Sequence, residues 1–154
     1  MRIRDKIKKP QRPVVAYEIL PPREKDGTLN SYAETISSLL SQTHIDAINI
    51  PEVHDEVGRG DRPVVNQKRG EPREFGMLLQ DIVGIEAIIN RVVVHDPYDK
   101  QMKWLEETNT KYEIENMIIV GGESSKVSYP GPTVNEALKA ITDKYNQNGG
   151  NIFC

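Results

Sequence analysis

Several ordinary signals are scarce in this chain, and each scarcity removes a class of protein. Of its 154 residues only Cys154 is a cysteine, so no internal disulfide framework exists, and a reducing compartment, the cytoplasm, is expected. No run of about 18 apolar residues occurs, which leaves no candidate membrane span. The opening MRIRDKIKK is charged but leads into no apolar stretch, so no secretory leader is expected. Lys and Arg number 20 against 23 Asp and Glu, a net charge of −3. That balance gives no basic excess for nucleic acid or a membrane surface. Aromatics are few at 6%, yet hydrophobic residues reach 37%, enough for a modest core and too much for a disordered tail. Internal repeats, low-complexity segments and both common nucleotide fingerprints, GxGxxG and GxxxxGK[ST], are missing.

What is present is an alternation of short β-type runs and longer helical periods. VVAYEIL (14–20) is apolar and β-branched and stops at Pro21-Pro22, as a buried parallel strand would. Leu29, Tyr32, Ala33, Ile36, Leu39 and Leu40 follow at helical spacing, with Ser31 and Glu34 at capping-box spacing. DAINI (46–50) predicts a second strand. A polar stretch over 52–72 is too long for a routine βα loop. Leu78, Leu79, Ile82, Val83, Ile85 and Ile89 predict a second helix, and RVVVH (91–95) a third strand. Asp96-Pro97 reads as the cap and first turn of a third helix carrying Tyr98, Met102 and Leu105. NMIIVGG (116–122) predicts a fourth strand. Thr133 and Glu136 predict a capping box for a helix with Val134, Ala137, Leu138, Ile141 and Tyr145 on one face. Residues 151–154 begin a fifth strand.

The order β-α-β-α-β-α-β-α-β fits two architectures, a doubly wound sheet or the first half of a (β/α)₈ TIM-type barrel. The basic segment before the first strand, within residues 1–12, reads as a short helix or as a solvated tail.

Buried parallel strands should be apolar on both faces, so polar exceptions within them are informative. Glu18 lies inside VVAYEILPP, Asn49 inside DAINIP, His95 closes RVVVH and Glu123 follows IIVGG. All four fall near the C-terminal ends of successive strands, where both architectures bind ligands. A buried carboxylate at Glu18 must be paired, with Arg23 or Arg91 for example, or be protonated, or face a wet cavity. Gly121, Gly122 and Ser124 offer backbone amides that suit an anion. His54-Asp55-Glu56 groups three candidate metal ligands, but the three histidines include no HExxH spacing, and no metal site is expected. Arg59, Arg62, Lys68, Arg69 and Arg73 read as a solvated basic face.

Over YEILPPRE the sequence resembles the methylenetetrahydrofolate reductase family, whose corresponding strand carries a glutamate before a double proline. The resemblance runs on through DAINIPE, RVVVHD and IIVGGES. It implies the first four βα units of a flavoprotein barrel of roughly twice this length plus the start of a fifth strand, a half-barrel or truncated chain. FAD and NAD(P)H would then serve to reduce a folate-bound one-carbon unit in methionine biosynthesis. Glu18 falls on the family's general acid, a role that requires a carboxyl able to deliver a proton near neutral pH. Glu123 falls on an aspartate near flavin and folate, and Asn49 would join it in placing the substrate. Arg91 falls on a flavin-contacting histidine, and His95, Gly121, Gly122 and Ser124 complete the expected cofactor contacts. Pro51 replaces a threonine, and VGGES replaces LRGD. A non-catalytic half-barrel that binds a pterin or a protein partner is the alternative. A homo-oligomer, or a missing C-terminal half, would cover the open edges.

Overall fold

The computed structural model describes residues 2–53, 68–122 and 126–154. Its centre is a parallel sheet built from β1 (Ala16–Glu18), β2 (Ala47–Pro51), β3 (Ala87–Val92) and β4 (Asn116–Val120), in the spatial order β1-β2-β3-β4. Each strand neighbours the next in sequence, so the described sheet contains no reversal of strand order. Phe153 forms a further parallel bridge to Asn116, on the far side of β4 from β3.

Strand residues alternate between two faces, and the sheet treats those faces very differently. Ile48 and Ile50 of β2 and Ala87 and Ile89 of β3 are fully buried. They pack with Phe75 and Leu79 of α3 (Pro72–Val83) and with Ala33 and Leu40 of α2 (Leu29–Leu40). Met117 of β4 packs with Leu105 of α4 (Tyr98–Thr110), and with Ile141 and Ile152. Ala137 of α5 (Val134–Ala140) closes over Val93 and Val94. The opposite face carries Ala47, Glu18, Asn49, Ile88, Asn90, Asn116 and Ile118; Ala47 and Asn116 at its N-terminal end are buried, whereas Ile118 toward the C-terminal end is 46% exposed, and that end is the bare part of the face.

Several boundaries differ from the sequence expectations. β1 is shorter than residues 14–20. The helix expected to reach Ile89 ends at Val83, because Gly84 adopts a left-handed conformation (φ 71°) that suits glycine and stops the helix. The third strand therefore starts at Ala87 rather than Arg91, and residues 93–95 form a 3₁₀ turn. Thr28, not Ser31, caps α2 by accepting from the Ser31 N–H. Asp96 does not cap α4, since its carboxylate is held by Arg91. The Thr133–Glu136 capping box forms as expected. Residues 3–8 form a helix, α1 (Ile3–Lys8).

The chain before β1 is fixed by one buried carboxylate. Asp46 accepts from Lys6 Nζ at 2.9 Å, from Arg12 at 2.8 and 2.9 Å, and from the Val15 N–H at 2.9 Å. The Val15 amide, then the Lys6 and Arg12 cations, hold its pKa well below the usual carboxylate range, against the opposing effect of burial.

Two predictions follow from this packing. Phe75→Ala should lower stability by about 3–5 kcal/mol, read from urea unfolding; a loss within the noise of the midpoint would contradict the placement of Phe75 in the core. Because the folded pKa of Asp46 is depressed, its contribution is complete above about pH 4 and is lost as pH falls. Asp46→Asn should therefore lower the thermal midpoint at pH 7 and shrink the difference between mutant and parent toward pH 2.

Candidate functional site

The polar strand residues fall into two groups that lie on opposite sides of the sheet. Glu18 and Asn49 are register partners on the bare face, and Asn49 Nδ2 donates to Glu18 Oε2 at 3.1 Å. Asn90 is one strand further over and two residues beyond Ile88, the partner of Asn49, so alternation puts it on the same face. The Oδ1 atoms of Asn49 and Asn90 are buried, and neither has a hydrogen-bond partner among the described residues. A buried carbonyl left without a donor costs about 1–3 kcal/mol. These two oxygens and the exposed Glu18 carboxylate lie on the same face of the sheet. Glu18 is exposed, facing this open surface, and its polar partner is Asn49 rather than Arg23 or Arg91. Arg23 is paired with Asp26 instead.

Arg91 lies on the other side. It is 3% exposed and its guanidinium bonds Glu52 at 2.9 Å, Asp96 at 2.7 Å and Gln101 at 3.1 Å. The guanidinium also stacks 4.4 Å from the centre of the Trp104 ring. Arg73, expected on a solvated basic face, is instead buried. It pairs with Glu71 at 2.9 Å and lies 4.7 Å from the ring centres of both Trp104 and Tyr112. Burial pushes the Glu71 carboxyl up, but the hydrogen bonds and charge of Arg73, with Arg91 behind it, hold it below its usual value. Trp104 thus serves two buried cations, each neutralised by carboxylates, and this is a packing device under the sheet.

The remaining expected contacts are dispersed. His95 sits in the 3₁₀ turn after β3 and meets the Tyr129 ring edge-on at 5.6 Å. Gly121 and Gly122 follow β4, and a Cβ at Gly122 would overlap the Tyr129 ring, so its lack of a side chain serves that aromatic contact. Glu123, Ser124 and the His54-Asp55-Glu56 group lie outside the described residues. Among the described residues no group of three His, Cys, Asp or Glu side chains could hold a metal ion, and no helix is long and apolar enough to cross a membrane.

Asn90, Glu52 and Trp104 were not singled out from the sequence. For Asn90 a signal existed: AIINRV repeats the pattern of AINIP, an amide inside an apolar strand.

The chain matches no protein-family model and no curated protein. Among solved structures it resembles an "uncharacterized protein from Clostridium thermocellum" that "binds two copies of 5-methyl-5,6,7,8-tetrahydrofolic acid", with a TM-score of 0.65 and 16% identity. The match covers 92% of this chain and 44% of that one, so the chain spans less than half of that protein's length. At this identity the likeness is one of fold.

Arg91→Leu should destabilise the protein by about 3–5 kcal/mol, because it removes the cation from between two carboxylates. A denaturant midpoint equal to the parent's would show that the network is not structural.

Proposed function

We propose that this chain forms the ligand-bearing part of a (β/α)-barrel protein that binds a folate-type one-carbon carrier on the bare sheet face. The observation that carries this reading is the pairing of Glu18 with Asn49 on that face. The sequential strand order supports the barrel, since a doubly wound sheet reverses its order at a switch point. Tyr17 on β1 is 49% exposed on the side that a further helix covers in a closed barrel. A neighbour of the same fold binds 5-methyltetrahydrofolate, which supports the ligand class.

The carboxylate of Glu18 accepts hydrogen bonds from an N–H-bearing ligand, and its acid form donates a proton to a basic nitrogen. The finer reading is reduction of the one-carbon unit. There Glu18 would give a proton to one bridge nitrogen, which keeps the electron pair of its breaking bond to the methylene carbon, while the lone pair of the other bridge nitrogen forms the carbon–nitrogen double bond of an iminium. Two of the positions matched to flavin contacts are already occupied by the protein's own groups. Arg91 is committed to Glu52 and Asp96 on the far side of the sheet, and Gly122 is closed by Tyr129. We therefore derive no redox step, either from a flavin or from NAD(P)H, and carrier binding is the function the geometry supports best.

Isothermal titration with 5-methyltetrahydrofolate tests this directly. Binding should be measurable, and Glu18→Ala should weaken it by roughly 10- to 150-fold, the loss of a hydrogen bond to a charged group. Unchanged affinity in that variant would remove Glu18 from the site. Absorbance near 450 nm, roughly, in the purified protein would restore the flavin reading.

A further inference from the structure

A folate-type carrier has a pterin ring at one end and a glutamyl tail with two carboxylates at the other. The exposed Glu18 carboxylate suits the N–H-bearing ring and would repel the tail. The tail therefore calls for a cation at the rim of the bare face.

That rim is formed by the segment after β1 and by the chain that enters α3. Backbone bonds join the two. The Glu24 N–H donates to the Lys68 carbonyl at 3.0 Å and the Gly70 N–H to the Pro22 carbonyl at 3.0 Å. Between them Arg23 and Arg69 face each other in an antiparallel bridge. Gly70 lets the chain sit against α2, where a Cβ would come within 2.4 Å of Leu29 Cδ2. Arg69 is half-buried there rather than part of a solvated face. Its Nη1 donates to the Pro21 carbonyl at 2.8 Å, and that neutral oxygen is its one side-chain partner among the described residues.

The neighbouring cations are all answered by carboxylates. Lys68 meets Glu24 at 2.7 Å and Arg23 meets Asp26 at 3.1 Å. Arg73 and Arg91 are neutralised under the sheet. Arg69 alone of this group keeps its charge uncompensated among the described residues, with its backbone fixed on both sides and most of its planar fork uncommitted. Such a fork matches a carboxylate with two parallel hydrogen bonds. Pro21 is three residues beyond Glu18, so their Cα atoms are at most about 11 Å apart. One extended carrier can touch both.

We propose that Arg69 is a specificity-determining residue whose guanidinium pairs with a glutamyl carboxylate of the carrier while the ring lies beside Glu18. The site then selects a carrier with an anionic tail over one without. This rests on the carrier-binding function and adds to it a residue and a charge requirement.

The test measures dissociation constants by calorimetry for 5-methyltetrahydrofolate and for its diamide, in which both tail carboxylates are primary amides. The parent should bind the acid form about tenfold more tightly, as expected for a charge-assisted hydrogen bond at a half-buried rim. Arg69→Gln should bind the two ligands equally, at the affinity of the parent for the diamide. Lys68→Gln, which removes a cation already paired with Glu24, should keep the preference. The parent protein supplies a second readout that decides the matter if Arg69→Gln does not fold. Its Arg69 side-chain Nε–H signal in NMR should move with 5-methyltetrahydrofolate and stay in place with the diamide. Equal affinities of the parent for acid and diamide, a preference that survives in Arg69→Gln, or an unmoved Nε–H signal would overturn the assignment while leaving carrier binding intact. Failure of the parent to bind either ligand would overturn both together.

Discussion

A β-strand sends successive side chains to opposite faces, and in this protein the apolar residues of the central strands are buried under helices on one face while polar residues interrupt the other. Ile48, Ile50, Ala87, Ile89 and Met117 bury themselves against α3, α4 and their neighbours. Their burial fixes the strand register, because a slip of one residue would drive them all to the open side. Once that register is set, Glu18, Asn49 and Asn90 have no choice of direction. The apolar half of each strand thus positions the polar half, and the candidate site is the counterpart of the core.

The second buried layer follows from the same constraint. Arg91 has the opposite parity from Asn90 and so points into the helix side, where a lone cation would be costly. Glu52, Asp96, Gln101 and Trp104 together neutralise and cover it. Asp96 is drawn away from the helix end that it could have capped. At the other end of the sheet Asp46 plays the mirror role, a buried anion tied by Lys6, Arg12 and the Val15 amide, which ties α1 and the segment before β1 to the sheet. Charged residues inside this protein are therefore mainly devices of assembly. The Oδ1 atoms of Asn49 and Asn90 on the bare face lack partners among the described residues.

Most of the architecture was legible because it rests on local pattern. The alternation of β-branched runs with helical periods gave the α/β class, and the glutamate and asparagine interrupting VVAYEIL and DAINI stood out against an apolar background. The third strand, Ala87–Val92, lies earlier than the apolar run RVVVH suggests. The apolar positions from Leu78 to Ile89 satisfy a helical period across Gly84, and only the left-handed glycine breaks it. Starting that strand at Arg91 hid Asn90 and made Arg91 look like a strand-end ligand contact. The Arg73–Trp104–Arg91 stack joins residues from three elements. No spacing in the sequence announces it, and Arg73 consequently read as part of a solvated basic loop.

The most direct measurement is a two-dimensional amide NMR titration of the isotopically labelled protein with 5-methyltetrahydrofolate. Carrier binding on the bare face predicts that the largest shifts fall on the backbone amides of Glu18, Asn49, Asn90 and Ile118 and on the side-chain NH₂ groups of Asn49 and Asn90. The amides of α1 and α3 should stay near their starting positions. Saturating ligand that shifts none of the bare-face signals, or shifts confined to the helical side of the sheet, would contradict it.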